Sequence, residues 1–269
     1  MSSRIFLVPH DFTNVGDAAA VQALHLASQT GAEVSLLHIV KSDSEIAAAQ
    51  SKLKIIVQDL SQKNTTVKVN AFVKKGNIFE DIGSMAGSLK ASMIVMGTHG
   101  AKGMQKLFGS FAIKVITSTS VPFLVVQDKP AIKRIEKIVF PIDLSVQSIQ
   151  VLSFASDLAK VFSSEIHIVA QPEKDASLAR KINANLTVAA KQFDKSGVNY
   201  KTAFLEGSKS YHQKVLDYGM SVGTDMFAIS YHVESLLPQF DPFAQSILVN
   251  DLKIPTLIIN SKQVSQLYY

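Results

Sequence analysis

The chain alternates between short apolar runs and longer stretches of mixed apolar and polar residues. The short runs are rich in Val, Ile and Leu, which is typical of β-strands, whereas the longer stretches have the spacing of helices with one buried face. In the first half of the chain this pattern predicts five strands, at residues 4–9, 33–40, 66–73, 92–97 and 122–127. It also predicts four helices between them, near residues 14–30, 43–62, 77–90 and 110–119.

The pattern of apolar and polar residues in these strands predicts a parallel sheet. Residues 36–40 and 93–96 are apolar on both faces, as strands covered by helices on each side must be. The third strand alternates apolar and polar residues from Val67 to Val73, which suits a sheet edge. Strands joined by helical crossovers predict a doubly wound α/β sheet with right-handed connections and the common strand order 3-2-1-4-5.

Helix starts are marked by three residues that favour the N-cap position. Thr13, Ser42 and Ser110 each stand where a helix is predicted to begin. Ser42 and Glu45 also have the spacing of a capping box.

The same order of elements occurs twice. Residues 4–13 return as residues 136–145 at an offset of 132, and residues 121–126 return as residues 254–259 at an offset of 133. Repeated elements in one order indicate a duplication. We therefore predict two tandem five-stranded domains, at residues 1–130 and 135–269, joined by a charged linker.

Composition narrows the classes of function. The 269 residues are 47% hydrophobic and 18% charged, with a net charge of +5 and no cysteine. The absence of cysteine excludes disulfides and thiolate chemistry, no apolar run approaches a membrane span, and a cytoplasmic location is expected. The basic residues are scattered and belong to no nucleic-acid-binding motif, so neither nucleic acid nor membrane is an expected partner.

The predicted strand order points to one place for a ligand. In a doubly wound sheet, ligands bind beyond the carboxyl ends of the strands where the order reverses, here between strands one and four. Strand four is followed by four glycines, at Gly97, Gly100, Gly103 and Gly109, and then by the helix expected at Ser110. Glycines let backbone amides approach an anion, and a helix N-terminus adds further donors. The alternative is a flexible loop before a capped helix.

A carboxylate stands on the opposite wall of this crevice. Asp11 follows strand one and has the chemistry to accept hydrogen bonds from a ribose hydroxyl or an exocyclic amine. It also has the position to cap the following helix. Asp143 in the second copy corresponds to Asp11, which favours a partly structural role.

Three segments resemble the universal stress protein family. They are Pro9-His10-Asp11-Phe12-Thr13 after strand one, Leu37-His38-Ile39-Val40 in strand two, and Gly97-Thr98-His99-Gly100 with Gly109-Ser110 after strand four. The resemblance covers both halves and implies a tandem-type member with a Rossmann-like fold of the adenine-nucleotide α-hydrolase type. The ATP-binding branch of that family carries Gly-x2-Gly-x9-Gly-[Ser/Thr], whereas this chain has eight residues between Gly100 and Gly109.

The resemblance also implies roles for single residues. Gly97, Gly100, Gly109 and Ser110 are expected to hold phosphates. Asp11 and Ile39 are expected to contact adenine. Pro9 and Met96 are expected to line its pocket, and His99 to flank the phosphate loop. The implied ligand is ATP or AMP, bound in the first half only.

The second copy has lost the phosphate-loop residues. At the offset of 133, Gly97, Gly100, Gly109 and Ser110 correspond to Ser230, Val233, Pro242 and Phe243. A segment without glycine, in which proline withholds an amide donor, offers no anion cradle. No nucleotide is expected in this half, and its bulky residues are expected to fill the vacated space or form a contact surface.

Catalysis is not expected. The sequence shows no paired nucleophile and base, no carboxylate pair for Mg²⁺ near the loop and no metal-ligand spacing among its seven histidines. Three other classes of α/β protein are excluded because the chain lacks their motifs. Receiver domains need an aspartate after strand three, and flavodoxins need a phosphate loop after strand one. P-loop NTPases need a Gly-x4-Gly-Lys-[Ser/Thr] motif. ATP hydrolysis is therefore expected to be weak or absent.

Two functions remain. One is a regulatory module that senses an adenine nucleotide, and the other is a scaffold that binds only protein partners. The resemblance implies pairing through the last strand of each copy, residues 121–126 and 254–259. Such pairing would make the chain a pseudo-dimer and would also allow a homodimer.

Overall fold

A computed structural model of the chain describes residues 4–98, 115–116, 118–128, 133–145, 147–231 and 242–260. These residues fall into two compact units, an N-terminal unit within residues 4–128 and a C-terminal unit within residues 133–260. Each unit is an α/β fold in which strands alternate with helices.

The N-terminal unit contains five strands in the part of the chain that the structure describes. They are β1 (Ile5–Pro9), β2 (Glu33–Val40), β3 (Val69–Lys75), β4 (Met93–Thr98) and β5 (Phe123–Gln127). Its helices are α1 (Asn14–Thr30), α2 (Ile46–Lys63), which follows a 3-10 turn at Asp43–Glu45, and α3 (Ile78–Ser88).

The C-terminal unit repeats this order. Its strands are β6 (Lys137–Ile142), β7 (Glu165–Ala170), β8 (Tyr200–Phe204), β9 (Met226–Tyr231) and β10 (Thr256–Asn260). Its helices are α4 (Gln147–Gln150), α5 (Leu152–Phe162), α6 (Ala176–Ser196), α7 (Tyr211–Val222) and α8 (Pro242–Leu248).

Both units have the predicted strand order. The N-terminal unit follows β3-β2-β1-β4-β5, and the C-terminal unit follows β8-β7-β6-β9-β10. The described pairings between these strands are parallel. The doubly wound fold class is thus confirmed. The centres of β2 and β4 are buried, as expected of strands covered by helices on both faces, and β3 is largely half-exposed at the edge.

Local signals explain where the elements begin. Thr13 caps α1 by accepting a hydrogen bond from the amide of Gly16, and the capping box of Ser42 and Glu45 is present, so both predictions are confirmed. The third strand starts at Val69 and not at residue 66. The reason is a turn at Asn64, whose side chain accepts a hydrogen bond of 3.0 Å from the amide of Thr66 and delays the extended backbone.

A buried carboxylate ties two strands of the C-terminal unit together. Asp225 precedes β9, and its Oδ2 accepts hydrogen bonds from the amides of Glu136 (2.9 Å) and Lys137 (3.0 Å) at the start of β6. Its Oδ1 contacts the Lys133 ammonium at 2.5 Å. These contacts fix the register in which β6 and β9 begin.

Removal of this carboxylate is expected to destabilise the C-terminal unit. Asp225→Ala leaves two amides and an ammonium without their acceptor, which costs about 1–3 kcal/mol in free energy of unfolding. The measurement is urea unfolding followed by circular dichroism. Asp217→Ala, which removes only an ion pair between exposed side chains with Lys209, is the control and is expected to cost less than about 1 kcal/mol. Equal losses in the two variants contradict the structural role of Asp225.

Candidate functional site

The carboxyl ends of three strands surround a cavity of about 200 Å³ in the N-terminal unit. Strand β1 contributes Pro9, β2 contributes Leu37, His38 and Ile39, and β4 contributes Met96, Gly97 and Thr98. The turn after β1 adds His10 and Asp11, and the helices add Gly16, Ile78 and Ile82; Val115 completes the lining. The cavity lies between β1 and β4, where the strand order reverses, as the topology predicts.

Five of the residues assigned from the sequence meet around this cavity. Pro9, Asp11, Ile39, Met96 and Gly97 all line it, although they come from three strands and a turn. The other four, His99, Gly100, Gly109 and Ser110, lie outside the described residues. The contact of any of the nine with a ligand remains a prediction.

Backbone groups at the end of β2 lie beside the cavity. Pairing of β1 with β2 stops at Pro9 and Leu37, and the amide of His10 then donates to the carbonyl oxygen of Leu37 at 2.9 Å. Backbone groups in a strand point to the same side at every second residue. Ile39 therefore directs its N–H and C=O toward the β1 side, beyond the end of β1, as one donor and one acceptor beside the cavity.

Asp11 has a structural role as well as a place in the cavity wall. Its Oδ1 accepts hydrogen bonds from the amide and the hydroxyl of Thr13, at 3.1 and 2.5 Å. Asp143 in the C-terminal unit makes the same two bonds with Ser145, at 2.9 and 2.5 Å. The aspartate thus builds the turn in both copies. Asp11 is exposed, so its Oδ2 is left to a ligand or to solvent.

Gly97 is required by packing. A Cβ at this position would overlap the backbone carbonyl of Val15 and would lie 2.7 Å from its Cγ1. Strand β4 therefore ends directly against the first turn of α1, and only glycine permits this approach. The expected phosphate contact of Gly97 is a separate and untested role.

Replacement of Gly97 is expected to disturb the site. Gly97→Ala forces β4 and α1 apart and costs about 1–3 kcal/mol in free energy of unfolding, because the clash is with backbone. The measurement is chemical unfolding of the purified variants. Gly87→Ala is the matched control, since Gly87 is exposed on α3 and a Cβ there meets nothing within 4 Å. It is expected to be neutral or slightly stabilising, and a similar loss in both variants contradicts the packing role.

His10 is buried beneath the turn that carries Asp11. Its side chain is 0% exposed, its Nδ1 accepts the amide of Phe12 at 3.0 Å, and its Nε2 lies 3.1 Å from Asp17 Oδ1. A backbone amide can only donate, so the neutral ring carries its proton on Nε2. Burial lowers the pKa of His10 below its ordinary value, and the neighbouring Asp17 opposes this shift only in part.

Phe12 adopts a conformation that is rare for an aromatic residue. Its φ is 62°, in the left-handed region, which costs a non-glycine residue about 1–2 kcal/mol. Its ring packs on His38 with 4.2 Å between ring centroids, and the Lys52 ammonium lies 5.2 Å from the Phe12 centroid. His38 in turn places Nδ1 2.7 Å from the carbonyl oxygen of His10. His38 also lines the cavity, a position that was not assigned to it from the sequence.

A tyrosine occupies the corresponding crevice of the C-terminal unit and borders a cavity of about 240 Å³ that Ile142 and Asp143 also line. The hydroxyl of Tyr211 lies 3.1 Å from the carbonyl oxygen of Ile142 and 3.0 Å from that of Val169, at the ends of β6 and β7. The Phe243 ring stacks on Tyr211 with centroids 5.2 Å apart. Burial raises the pKa of Tyr211, so its hydroxyl stays a donor. Phe243, which replaces Ser110, packs on this ring, and the role of Tyr211 was not anticipated from the sequence.

Tyr211 and Ile78 occupy equivalent positions in the two units, but they contribute differently to the crevice of each unit. Each is the first residue of the third long helix of its unit, and they are separated by the offset of 133. Ile78 is too short to reach across the strand ends, and it borders the cavity of the N-terminal unit. This exchange therefore places a hydroxyl at the strand ends in the C-terminal unit and none in the N-terminal unit.

Loss of the Tyr211 hydroxyl is expected to destabilise the C-terminal unit. Tyr211→Phe removes the one O–H that the two strand-end carbonyls share and costs about 0.5–1.5 kcal/mol in free energy of unfolding. Urea unfolding checks this value. Tyr200→Phe is the control, because the Tyr200 hydroxyl makes only an exposed bond of 3.3 Å to Asp194. If Tyr211→Phe is as stable as Tyr200→Phe, the hydroxyl of Tyr211 does not stabilise the C-terminal unit.

Among the described residues, no group of three or more His, Asp or Glu side chains could hold a metal ion. None of the described helices has the length and apolarity to cross a membrane. The cavity thus offers apolar walls, one exposed carboxylate and free backbone groups as its means of recognition.

These features define a doubly wound α/β unit with a cavity where its strand order reverses, and comparison with known proteins gives the family. Residues 2–127 match the model of the universal stress protein family, so the N-terminal half of the chain belongs to that family, as its motifs predicted. A universal stress protein of Methanocaldococcus jannaschii is 28% identical over 136 residues, which cover 45% of this chain and 80% of its own.

Solved structures extend the likeness of fold to the whole chain. The crystal structure of a universal stress protein from Archaeoglobus fulgidus superimposes with a TM-score of 0.76 at 16% identity. It covers 97% of this chain and 100% of its own. A structure from Pseudomonas aeruginosa has a TM-score of 0.63 at 14% identity and covers 99% of this chain and 98% of its own. At these identities the likeness concerns the fold alone.

Proposed function

We propose that the N-terminal unit binds an adenine nucleotide, ATP or AMP, and that the protein is a regulatory module with little or no catalysis. The observation that carries this proposal is the convergence of Pro9, Asp11, Ile39, Met96 and Gly97 on one cavity in a universal stress protein domain. The C-terminal unit, whose crevice holds Tyr211, is proposed to bind no nucleotide.

The chemistry of the cavity suits a base and its ribose. Pro9, Ile82 and Met96 provide apolar surface for a planar ring, and the Ile39 backbone provides a donor and an acceptor for its polar edge. Asp11 Oδ2 has the position to accept a ribose hydroxyl. A volume of about 200 Å³ is too small for a whole nucleotide triphosphate. The phosphates therefore extend past Gly97 toward the residues that family resemblance assigns to them.

Calorimetric titration of the intact chain with ATP, AMP and GTP tests this proposal. We expect one site per chain, a preference for the adenine nucleotides and no measurable hydrolysis. Asp11→Asn keeps the acceptor for Thr13 but removes the charge, and it is expected to weaken binding about tenfold. Asp143→Asn makes the same change in the C-terminal unit and should leave binding unchanged. No heat with either adenine nucleotide contradicts the proposal.

A pair of exchanged residues tests the location of the site. Ile78→Tyr introduces the residue that occupies the other crevice and is expected to abolish binding. Tyr211→Ile removes that residue from the C-terminal unit. Because Pro242 and Phe243 replace Gly109 and Ser110 there, this second variant is expected to gain no nucleotide site. Binding that survives Ile78→Tyr contradicts the cavity as the site.

A scaffold function without nucleotide is the second candidate. The Tyr211 hydroxyl at the ends of β6 and β7 favours it for that half, because this side chain takes the place of Ile78, which borders the cavity of the N-terminal unit. This candidate predicts no change of Tm with ATP or AMP, whereas nucleotide binding predicts a rise that grows with ligand concentration.

A further inference from the structure

The strained turn beside the cavity exists in only one of the two copies. The hydrogen bonds of Asp11 with Thr13 are reproduced by Asp143 with Ser145, so they do not require a left-handed residue. Phe12 nevertheless has a φ of 62°, whereas its counterpart Leu144 is not among the described residues with positive φ. Something present only in the N-terminal unit holds Phe12 in this conformation.

His10 is the group that differs. Its Nδ1 accepts the amide of Phe12, and the corresponding residue of the C-terminal unit is Ile142, which has no acceptor in its side chain. The Phe12 ring then lies against His38, whose Nδ1 donates to the carbonyl oxygen of His10. His10, Phe12 and His38 thus each contact the other two. Asp11 lies between His10 and Phe12 in the chain, and these two residues are joined by the hydrogen bond from the Phe12 amide to His10 Nδ1.

We propose that His10 is a positioning residue of the nucleotide site: its neutral imidazole holds the turn that carries Asp11, and protonation of Nδ1 releases that turn and weakens nucleotide binding. This inference rests on the proposed function. His10 acts through Phe12 and Asp11, since both of its ring nitrogens already have protein partners.

Protonation removes the bond that holds the turn. With a proton on Nδ1, the ring and the Phe12 amide are two donors facing each other, and the amide loses its acceptor. The charged and titratable groups facing the ring are Asp17 on α1, Asp11 in the turn and His38 on β2. Lys52 on α2 faces the Phe12 ring. The cavity residues of β4 and α3 that the structure describes carry no charge.

The direction of the pH dependence follows from burial. Because the ring is buried, the pKa of His10 is lowered from 6.5, and the native turn stays intact at neutral pH. As the pH falls through this lowered pKa, protonation favours conformations in which the ring is exposed and Phe12 is released. The affinity for the nucleotide is therefore expected to fall at acid pH.

The test is the dissociation constant of AMP for the intact chain from about pH 8 to about pH 5. The wild-type protein is expected to bind about fivefold more weakly at the acid end, the equivalent of one backbone hydrogen bond. His10→Asn places a neutral oxygen near Nδ1 that cannot be protonated, and should remove this dependence. His10→Ile, the residue of the other copy, should bind weakly at every pH. Titration of the AMP phosphate is common to all three proteins and cancels in the ratios.

A ligand-free measurement separates this inference from the proposed function. NMR should show the amide signals of Phe12 and Thr13 shifting with the midpoint at which the His10 ring titrates. If AMP does not bind at pH 8 but these signals titrate together, the nucleotide proposal fails while the coupling of His10 to the turn stands. Positioning by His10 is wrong if the amides do not follow the ring. It is equally wrong if His10→Asn keeps the wild-type pH dependence of AMP affinity.

Discussion

The carbonyl oxygen at the end of the first strand of each unit needs a hydrogen-bond donor. The residue that supplies this donor determines which side chain occupies each crevice. A buried backbone carbonyl without a partner is costly, and strand pairing ends just where this oxygen lies. In the N-terminal unit the donor is His38, which comes from the neighbouring strand and leaves the crevice open. In the C-terminal unit it is Tyr211, which comes from a helix and occupies it.

The two units therefore satisfy the same carbonyl oxygen with different donors, while the turn after the first strand is the same in both. The turn built by Asp11 and Thr13 recurs with Asp143 and Ser145 at nearly the same distances. This shared turn belongs to the fold. The differences lie in what surrounds it, where His10 is matched by Ile142 and Ile78 by Tyr211. The different residues at these few positions give the two crevices different linings within the same fold.

Much of the site was predictable because parallel strands end at one edge. The strand order brings Pro9, Asp11, Ile39 and Met96 together. Asp11 could be assigned from its position after strand one, whereas the other three were assigned from the resemblance to the universal stress protein family. Other features could not be assigned in this way. The left-handed backbone of Phe12 depends on a hydrogen bond to His10. The local sequence shows that Ile142 replaces His10 in the second copy, but it does not show that the His10 ring turns toward the Phe12 amide. The overlap that makes Gly97 necessary arises from Val15, 82 positions away in the chain.

The sequence by itself determined the repeated order of elements, the alternation of strands and helices, the strand order and the absence of glycine from residues 230–243. These properties follow from hydrophobic periodicity and from residue types at fixed offsets, which act locally along the chain. Only the tertiary structure decided that Tyr211 occupies one crevice, that His10 is buried under Asp11 and that Phe12 is strained. Each of these depends on contacts between residues brought together by packing, and such contacts leave no periodic signal in the sequence.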